Sequence, residues 1–168
     1  MMKLYFKEVE CAKSQSDYFA RDILGRNLNV DGNSLVILKE QFGKPYLRDY
    51  LNTHYNISHT SGAIACAVSD KPVGIDIERV KKFDKRIVER FFTQKEQSYI
   101  FSVKENQNER FAEIWTMKEA YVKWKGKGMS IPFDSFDVLN KANISVIWKD
   151  NYCIAVCTNY EHKSSGVS

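Results

Sequence analysis

Apolar residues recur at helical spacing between Ser14 and Arg26, where Tyr18, Phe19, Ile23 and Leu24 predict a helix that Gly25 and Asn27 bring to a stop. Asn29–Asn33 is a turn cluster, and Leu35–Leu38 is a short strand candidate. Gly43-Lys44-Pro45 breaks the pattern as a loop. Ile64–Ser69 and Val73–Arg79 read as strands joined at Lys71-Pro72. Asp84–Phe91 and Thr93–Phe101 read as two short helices, and Asn106–Asn108 as a loop. The longest helix runs from Glu109 to Lys125 and ends at Gly126 and Gly128. Phe136–Leu139, Ile144–Trp148 and Tyr152–Thr158 complete the set as strands. Gly62–Ser69 and Asn151–Thr158 echo one another in pattern and composition, which points to two related α+β halves.

The 168 residues are 43% hydrophobic and 27% charged, with eight Gly and three Pro. That is enough apolar material for one core without staples, and it excludes disordered and collagen-like classes. No apolar run approaches the ~18 residues of a membrane helix. The stretch Met1–Cys11 carries Glu8 and Glu10 and no apolar block, so it does not read as a signal peptide. A cytoplasmic protein is expected. A net charge of +4 is too mild to argue for nucleic-acid binding. Cys11, Cys66, Cys153 and Cys157 form no CxxC pair, and His54, His59 and His162 do not flank them at zinc-finger spacing. All four are read as reduced, with a metal or disulfide as the alternative.

Three segments carry candidate chemistry. In Val73-Gly74-Ile75-Asp76-Ile77-Glu78, strand alternation puts Asp76 and Glu78 on one face, about 6.6 Å apart along the chain. Like charges so placed repel, and a hard cation would relieve them; an amphipathic strand with a wet face is the plainer reading. In the long helix, Phe111, Ile114, Trp115, Tyr121 and Val122 form an apolar stripe with Glu119 and Lys123 at its edge. These two are either a surface i,i+4 pair or a carboxylate and an ammonium at the border of a cleft. Gly126-Lys127-Gly128 offers backbone N–H groups beside them but is not a Walker loop. Asn56-Ile57-Ser58-His59-Thr60 is either a turn that leads into the next strand, which the residues alone favour, or a phosphate contact through Ser58 and His59.

Taken in order, Phe42-Gly-Lys-Pro-Tyr46, Asn56-Ile-Ser-His-Thr60, Val73-Gly-Ile-Asp-Ile-Glu78, Arg90-Phe-Phe-Thr93 with Glu96, and Trp115-Thr-Met-Lys-Glu-Ala120 with Lys123, Gly126 and Gly128 resemble the 4′-phosphopantetheinyl transferases of the surfactin-synthetase-activating type. The resemblance covers about Lys39 to Val138. It implies an α+β fold of two pseudo-symmetric α/β lobes, residues 1–70 and 71–168, with the active site in the cleft between them. It implies transfer of the phosphopantetheine arm of coenzyme A to a serine of an acyl or peptidyl carrier protein, with release of 3′,5′-ADP. Asp76, Glu78 and Glu119 match the family's Mg²⁺-binding acids, and Lys123 matches the lysine at the pyrophosphate. Lys44, Pro45, Ser58 and His59 match groups that hold the nucleotide. Glu96 matches an acid near the reaction centre; Glu96, Glu119 or a metal-bound water is the candidate base, with Glu96 or a water it orients preferred.

The N-terminal lobe is shorter than in typical members, so the usual basic contacts to the 3′-phosphate fall near Ala12 or Lys13, with Arg21 in reserve. A monomer, with coenzyme A and a carrier protein as partners and no nucleic acid or membrane, is the expected state. Arg79–Arg90, which sums to +4, is the expected docking surface for an acidic carrier helix, with Phe91 or Phe92 adding apolar contact. Two other classes compete: a different Mg²⁺-dependent phosphotransferase or nuclease built on Asp76 and Glu78, and a non-catalytic binder of an acidic partner.

Overall fold

The computed structural model describes residues 1–159, the side chain of Met129 excepted; His162 and the end of the expected second lobe lie outside them. Eight strands and four α-helices follow in the order β1 (Lys3–Glu8), α1 (Ala12–Leu28), β2 (Ile37–Lys39), β3 (Pro45–Leu47), β4 (His54–Thr60), β5 (Ala63–Ser69), β6 (Val73–Arg79), α2 (Lys85–Phe91), α3 (Gln94–Phe101), α4 (Gln107–Lys125), β7 (Ile144–Lys149) and β8 (Tyr152–Thr158). They build a mixed α+β fold of two lobes, each around an antiparallel three-stranded sheet. One sheet has the order β1-β5-β4 and the other β6-β8-β7. In each, the last strand of its half is central, the first strand flanks it on one side and the penultimate strand on the other. The echo between Gly62–Ser69 and Asn151–Thr158 therefore falls on the two central strands.

Every residue of β5 and β8 is buried, as a strand covered on both faces requires. Ile64, Cys66 and Val68 of β5 turn toward α1, where Phe19, Ala20, Ile23 and Leu24 close the first core. Tyr18, which the spacing puts on the same stripe, is 72% exposed. Ala155 and Cys157 of β8 turn toward α4 and meet Ile114, Met117 and Ala120. The opposite faces of the two sheets share a third core, in which Ala63, Ala65 and Ala67 of β5 lie against Ile75 and Ile77 of β6 and Ile154 and Val156 of β8. The alanines are small enough to let the sheets approach, so the layers run α1, sheet, sheet, α4. All four cysteines are free, three of them buried.

Four elements differ from the sequence expectation; β3 begins at Pro45, which reads as part of a loop, and pairs with β2. Asn56–Thr60 is part of strand β4, paired with β5 along its whole length, rather than a turn. Its polar residues at alternate positions face β6, so the segment reads polar while being a strand. Phe136–Leu139 is not a strand. Its backbone is extended at Phe136, but its polar groups are taken by side chains: the Phe136 carbonyl by Lys118 and the Val138 N–H by Glu96. β1 was not anticipated; Leu4, Tyr5 and Phe6 are good strand formers, and all six residues of β1 pair with β5. No helix among the described residues is long and apolar enough to cross a membrane.

Candidate functional site at the junction of the two lobes

β4 and β6 are the facing edges of the two sheets, and no backbone ladder joins them. Side chains of β4 do so instead. The Ile75 N–H donates to Asn56 Oδ1 at 2.9 Å, the Ser58 hydroxyl donates to Asp76 Oδ1 at 2.7 Å, and the Thr60 hydroxyl donates to Glu78 Oε2 at 3.4 Å. On the other side of β6 lies α4. A Cβ at Gly74 would overlap the Ala120 carbonyl oxygen and the Trp124 amide nitrogen, so only glycine lets the helix settle this close. The contact brings Glu119 and Lys123 over the acidic face of β6.

Lys123 Nζ donates to Asp76 Oδ1 at 2.7 Å and to Ser58 Oγ at 3.0 Å. Asp76 is 5% exposed. Its second oxygen, Oδ2, is buried and is the one such side-chain atom without a hydrogen-bond partner among the described residues. Burial, followed by the charge of Asp76, pushes the Glu78 and Glu119 carboxyls up from the ordinary value of 4.5, against the opposing pull of Lys123. Lys123, joined at Glu78 by the more exposed Lys81, thus faces three acids, and a buried acceptor is left open.

The sequence model of the 4′-phosphopantetheinyl transferase superfamily matches residues 72–165, which contain these acids and Lys123. The chain belongs to that superfamily. It is similar to the 4′-phosphopantetheinyl transferase Sfp of Bacillus subtilis (strain 168), with 32% identity over 95% of this chain and 72% of that protein. It is also similar to the transferase gsp of Aneurinibacillus migulanus, 41% identical over 78% of this chain and 55% of its relative. The transferase ffp of Bacillus subtilis is 35% identical over 81% of this chain and 61% of its relative. The chain thus spans between about half and three quarters of the length of these relatives.

The residues expected to serve a phosphopantetheinyl transferase fall into four places, Glu96 lying apart from the rest. Asp76, Glu78, Glu119, Lys123 and Ser58 gather at the lobe junction. Lys44 lies at the C-terminus of α4, where its ammonium donates to the Trp124 carbonyl at 3.0 Å. That is a favourable end of the helix for a cation, although burial pulls its pKa down. Pro45 follows it at the start of β3, and both line a cleft of about 460 Å³ with His54 and Tyr55. His59 is exposed on β4 and lines a separate, wider cleft with Lys13 and the start of α1. Arg21 is turned away from it, held by the carbonyls of Gly32 and Leu35.

Glu96 is not among the junction residues. It is fully buried, as is Lys118, and the two are ion-paired at 2.9 Å. Its Oε2 also accepts from the Thr93 N–H, closing a capping box on α3, and its Oε1 accepts from the Val138 N–H. Both of its oxygens are thus committed, and it has no solvent access. Sequence reading missed its partner. Lys118 donates to the Phe133 and Phe136 carbonyls at 2.6 Å and lies 4.3 Å from the Phe136 ring centroid. A lysine flanked by a core stripe, followed by Pro132 and two phenylalanines, was the available signal.

Two predictions follow from these environments. Lys118→Met alone leaves a buried carboxylate uncompensated and is expected to lower unfolding stability by about 3–5 kcal/mol. Lys118→Met combined with Glu96→Leu removes both charges and is expected to recover much of it in denaturant titration. The raised Glu78 and Glu119 carboxyls bind protons more tightly folded than unfolded. Their contribution to the stability of the metal-free protein is therefore fully present below about 4.5 and is lost as pH rises through the raised values. Glu78→Gln with Glu119→Gln removes that loss, so melting temperatures of variant and wild type should diverge in the variant's favour as pH rises; a pH-independent gap contradicts the assignment.

Proposed function

We propose that this chain transfers the 4′-phosphopantetheine arm of coenzyme A to a serine of an acyl or peptidyl carrier protein, releasing 3′,5′-ADP. The observation that carries the reading is the orphaned, buried Oδ2 of Asp76 amid three acids and one lysine. Hard carboxylate oxygens suit Mg²⁺, which is content with few protein ligands when phosphate and water complete its shell. Among the described residues no three ligating side chains are already gathered as a cage. The fit therefore rests on Asp76 being near enough to Glu78 and Glu119 for its charge to raise their proton affinity and on the open Oδ2. Bound there, Mg²⁺ would screen the pyrophosphate and the charge that grows on the leaving phosphate.

The chain's own groups do the rest in this reading. Lys123, already at the junction, supplies a fixed positive charge beside the scissile phosphate and can donate a proton to the departing oxygen. Lys44, Pro45 and His59 hold the nucleotide, with Lys13 beside His59 at the start of α1 for the 3′-phosphate. Glu119, at the junction beside Lys123, is the candidate to accept the serine proton, since Glu96 is enclosed. Both sides of the junction come from one chain, which supports a monomer with a first lobe to residue 70 and a second from residue 71. A cytoplasmic location, with no nucleic-acid or membrane partner, completes the proposal.

The carrier surface of this reading is the segment after β6. Lys81, Lys82 and Lys85 are exposed there. Lys81 and Lys82 flank a cleft of about 330 Å³ that reaches Glu78 and is walled by Phe83, Phe111 and Trp115. Phe91 is 37% exposed, with Arg90 over its ring at 5.1 Å, whereas Phe92 is 3% exposed and belongs to the second core. Of the two, only Phe91 is available to a partner.

Incubation with coenzyme A, Mg²⁺ and an apo carrier protein tests the function. The carrier is expected to gain one phosphopantetheine by mass spectrometry, and Asp76→Ala to remove most turnover while the protein stays folded. An unmodified carrier sinks the proposal and would favour the acidic-partner binder, whereas near-normal transfer by Asp76→Ala overturns the metal assignment of Asp76 and leaves the transfer standing. Reversal of Lys81, Lys82 and Lys85 to Glu is expected to raise KM for the carrier and leave KM for coenzyme A unchanged. Equal effects on both substrates contradict the docking surface.

A further inference from the structure

We propose that Ser58 is a positioning residue for the metal-ligating carboxylate: through its hydroxyl, the first lobe fixes Asp76 so that Oδ1 is consumed by the protein and Oδ2 is left open. The proposal rests on Mg²⁺ occupying the acids of β6, and it gives Ser58 a different task from the nucleotide contact expected from sequence.

Four observations carry it. Ser58 is 7% exposed and Asp76 5%, so neither hydroxyl nor carboxylate has bulk water to replace a lost partner. The Ser58 hydroxyl donates to Oδ1 at 2.7 Å, the short distance of a charge-assisted bond. Lys123 donates both to that same Oδ1 and to Ser58 Oγ, so the serine oxygen is acceptor and donor at once and ties the lysine to the acid. Oδ2 receives nothing. A carboxylate with one oxygen doubly held and the other empty is aimed; one with both oxygens free to rotate is not. A ligating carboxylate commonly needs such a hydrogen-bonded neighbour, and loss of one costs metal affinity about 10–100-fold.

The contact is part of a wider arrangement. Asn56, Ser58 and Thr60 alternate along β4 and reach Ile75, Asp76 and Glu78 of β6 in turn. Asn56 fixes the backbone of β6, while Ser58 and Thr60 each take one carboxylate. The polar face of β4 is the shell around the acids, and the metal site is a product of both lobes although all its acids lie in one.

Mn²⁺ binding to the free enzyme, measured by electron paramagnetic resonance or calorimetry without coenzyme A or carrier, tests this apart from transfer. Ser58→Ala is expected to weaken Mn²⁺ about 10–100-fold, with circular dichroism like the wild type, and Ser58→Thr, which keeps the hydroxyl, to retain most of the affinity. If Ser58→Ala fails to fold, Thr60→Val, which keeps the volume and removes the hydroxyl at Glu78, is expected to weaken Mn²⁺ in the same direction. Unchanged Mn²⁺ affinity in Ser58→Ala, with only KM for coenzyme A raised, would make Ser58 a nucleotide contact and overturn the proposal. Absence of Mn²⁺ binding in the wild type also overturns it. Failure of carrier modification alongside normal, Ser58-dependent Mn²⁺ binding would overturn the transferase reading and leave the positioning role standing.

Discussion

The backbone of α4 touches the backbone of β6 at Gly74, and the site hangs on that contact. Helix–sheet packing normally keeps side chains between the two layers. Here one layer is missing at a single position, because a Cβ would occupy the space of the Ala120 carbonyl and the Trp124 amide. The helix therefore settles deep against the strand, and the residues one turn apart on that face, Glu119 and Lys123, come down on Asp76 and Glu78. The acids and the lysine are otherwise distant in sequence. Their meeting is a packing result before it is an electrostatic one.

Electrostatics then exacts a cost that the rest of the lobe must offset. Burying like charges raises the proton affinity of Glu78 and Glu119, and Lys123 alone does not balance three carboxylates. The surrounding structure is correspondingly tied down. Lys118 neighbours Glu119 on α4, about 100° round the helix from it, and pairs with Glu96 and two backbone carbonyls. That pair joins α3, α4 and the segment from Phe133 to Val138, and it fixes the rotation of α4 about its axis. Adjacent charges on one helix thus have separate tasks: Lys118 holds the helix in place, and Glu119 is what the helix presents.

Much of this could be read from the chain. The alternation at Asp76 and Glu78, the i,i+4 spacing of Glu119 and Lys123, and the paired small-residue strands at Gly62–Ser69 and Asn151–Thr158 each state a local geometry that the fold keeps. Periodicity failed where tertiary contacts override it. Asn56–Thr60 reads as a turn because its polar side chains do work across the lobe junction that an ordinary strand leaves to its backbone. Phe136–Leu139 reads as a strand but finds its hydrogen-bond partners in Lys118 and Glu96 rather than in a neighbouring strand. The burial of Glu96 was invisible for the same reason. Its sequence environment is that of a helix cap, which it is, and nothing local shows that Lys118 arrives from 22 positions along the chain to complete it.

The central claim is that backbone contact at Gly74 sets the register of the acids. Gly74→Ala measures it most directly. A methyl group there meets backbone atoms that cannot step aside as a side chain can, so α4 must move outward at a cost at or above the upper end of the ~1–3 kcal/mol of ordinary overpacking. The account predicts a cooperative but lower thermal transition together with at least a tenfold fall in both Mn²⁺ affinity and the rate of carrier modification. A Gly74→Ala protein that binds the metal and modifies the carrier as the wild type does would contradict it.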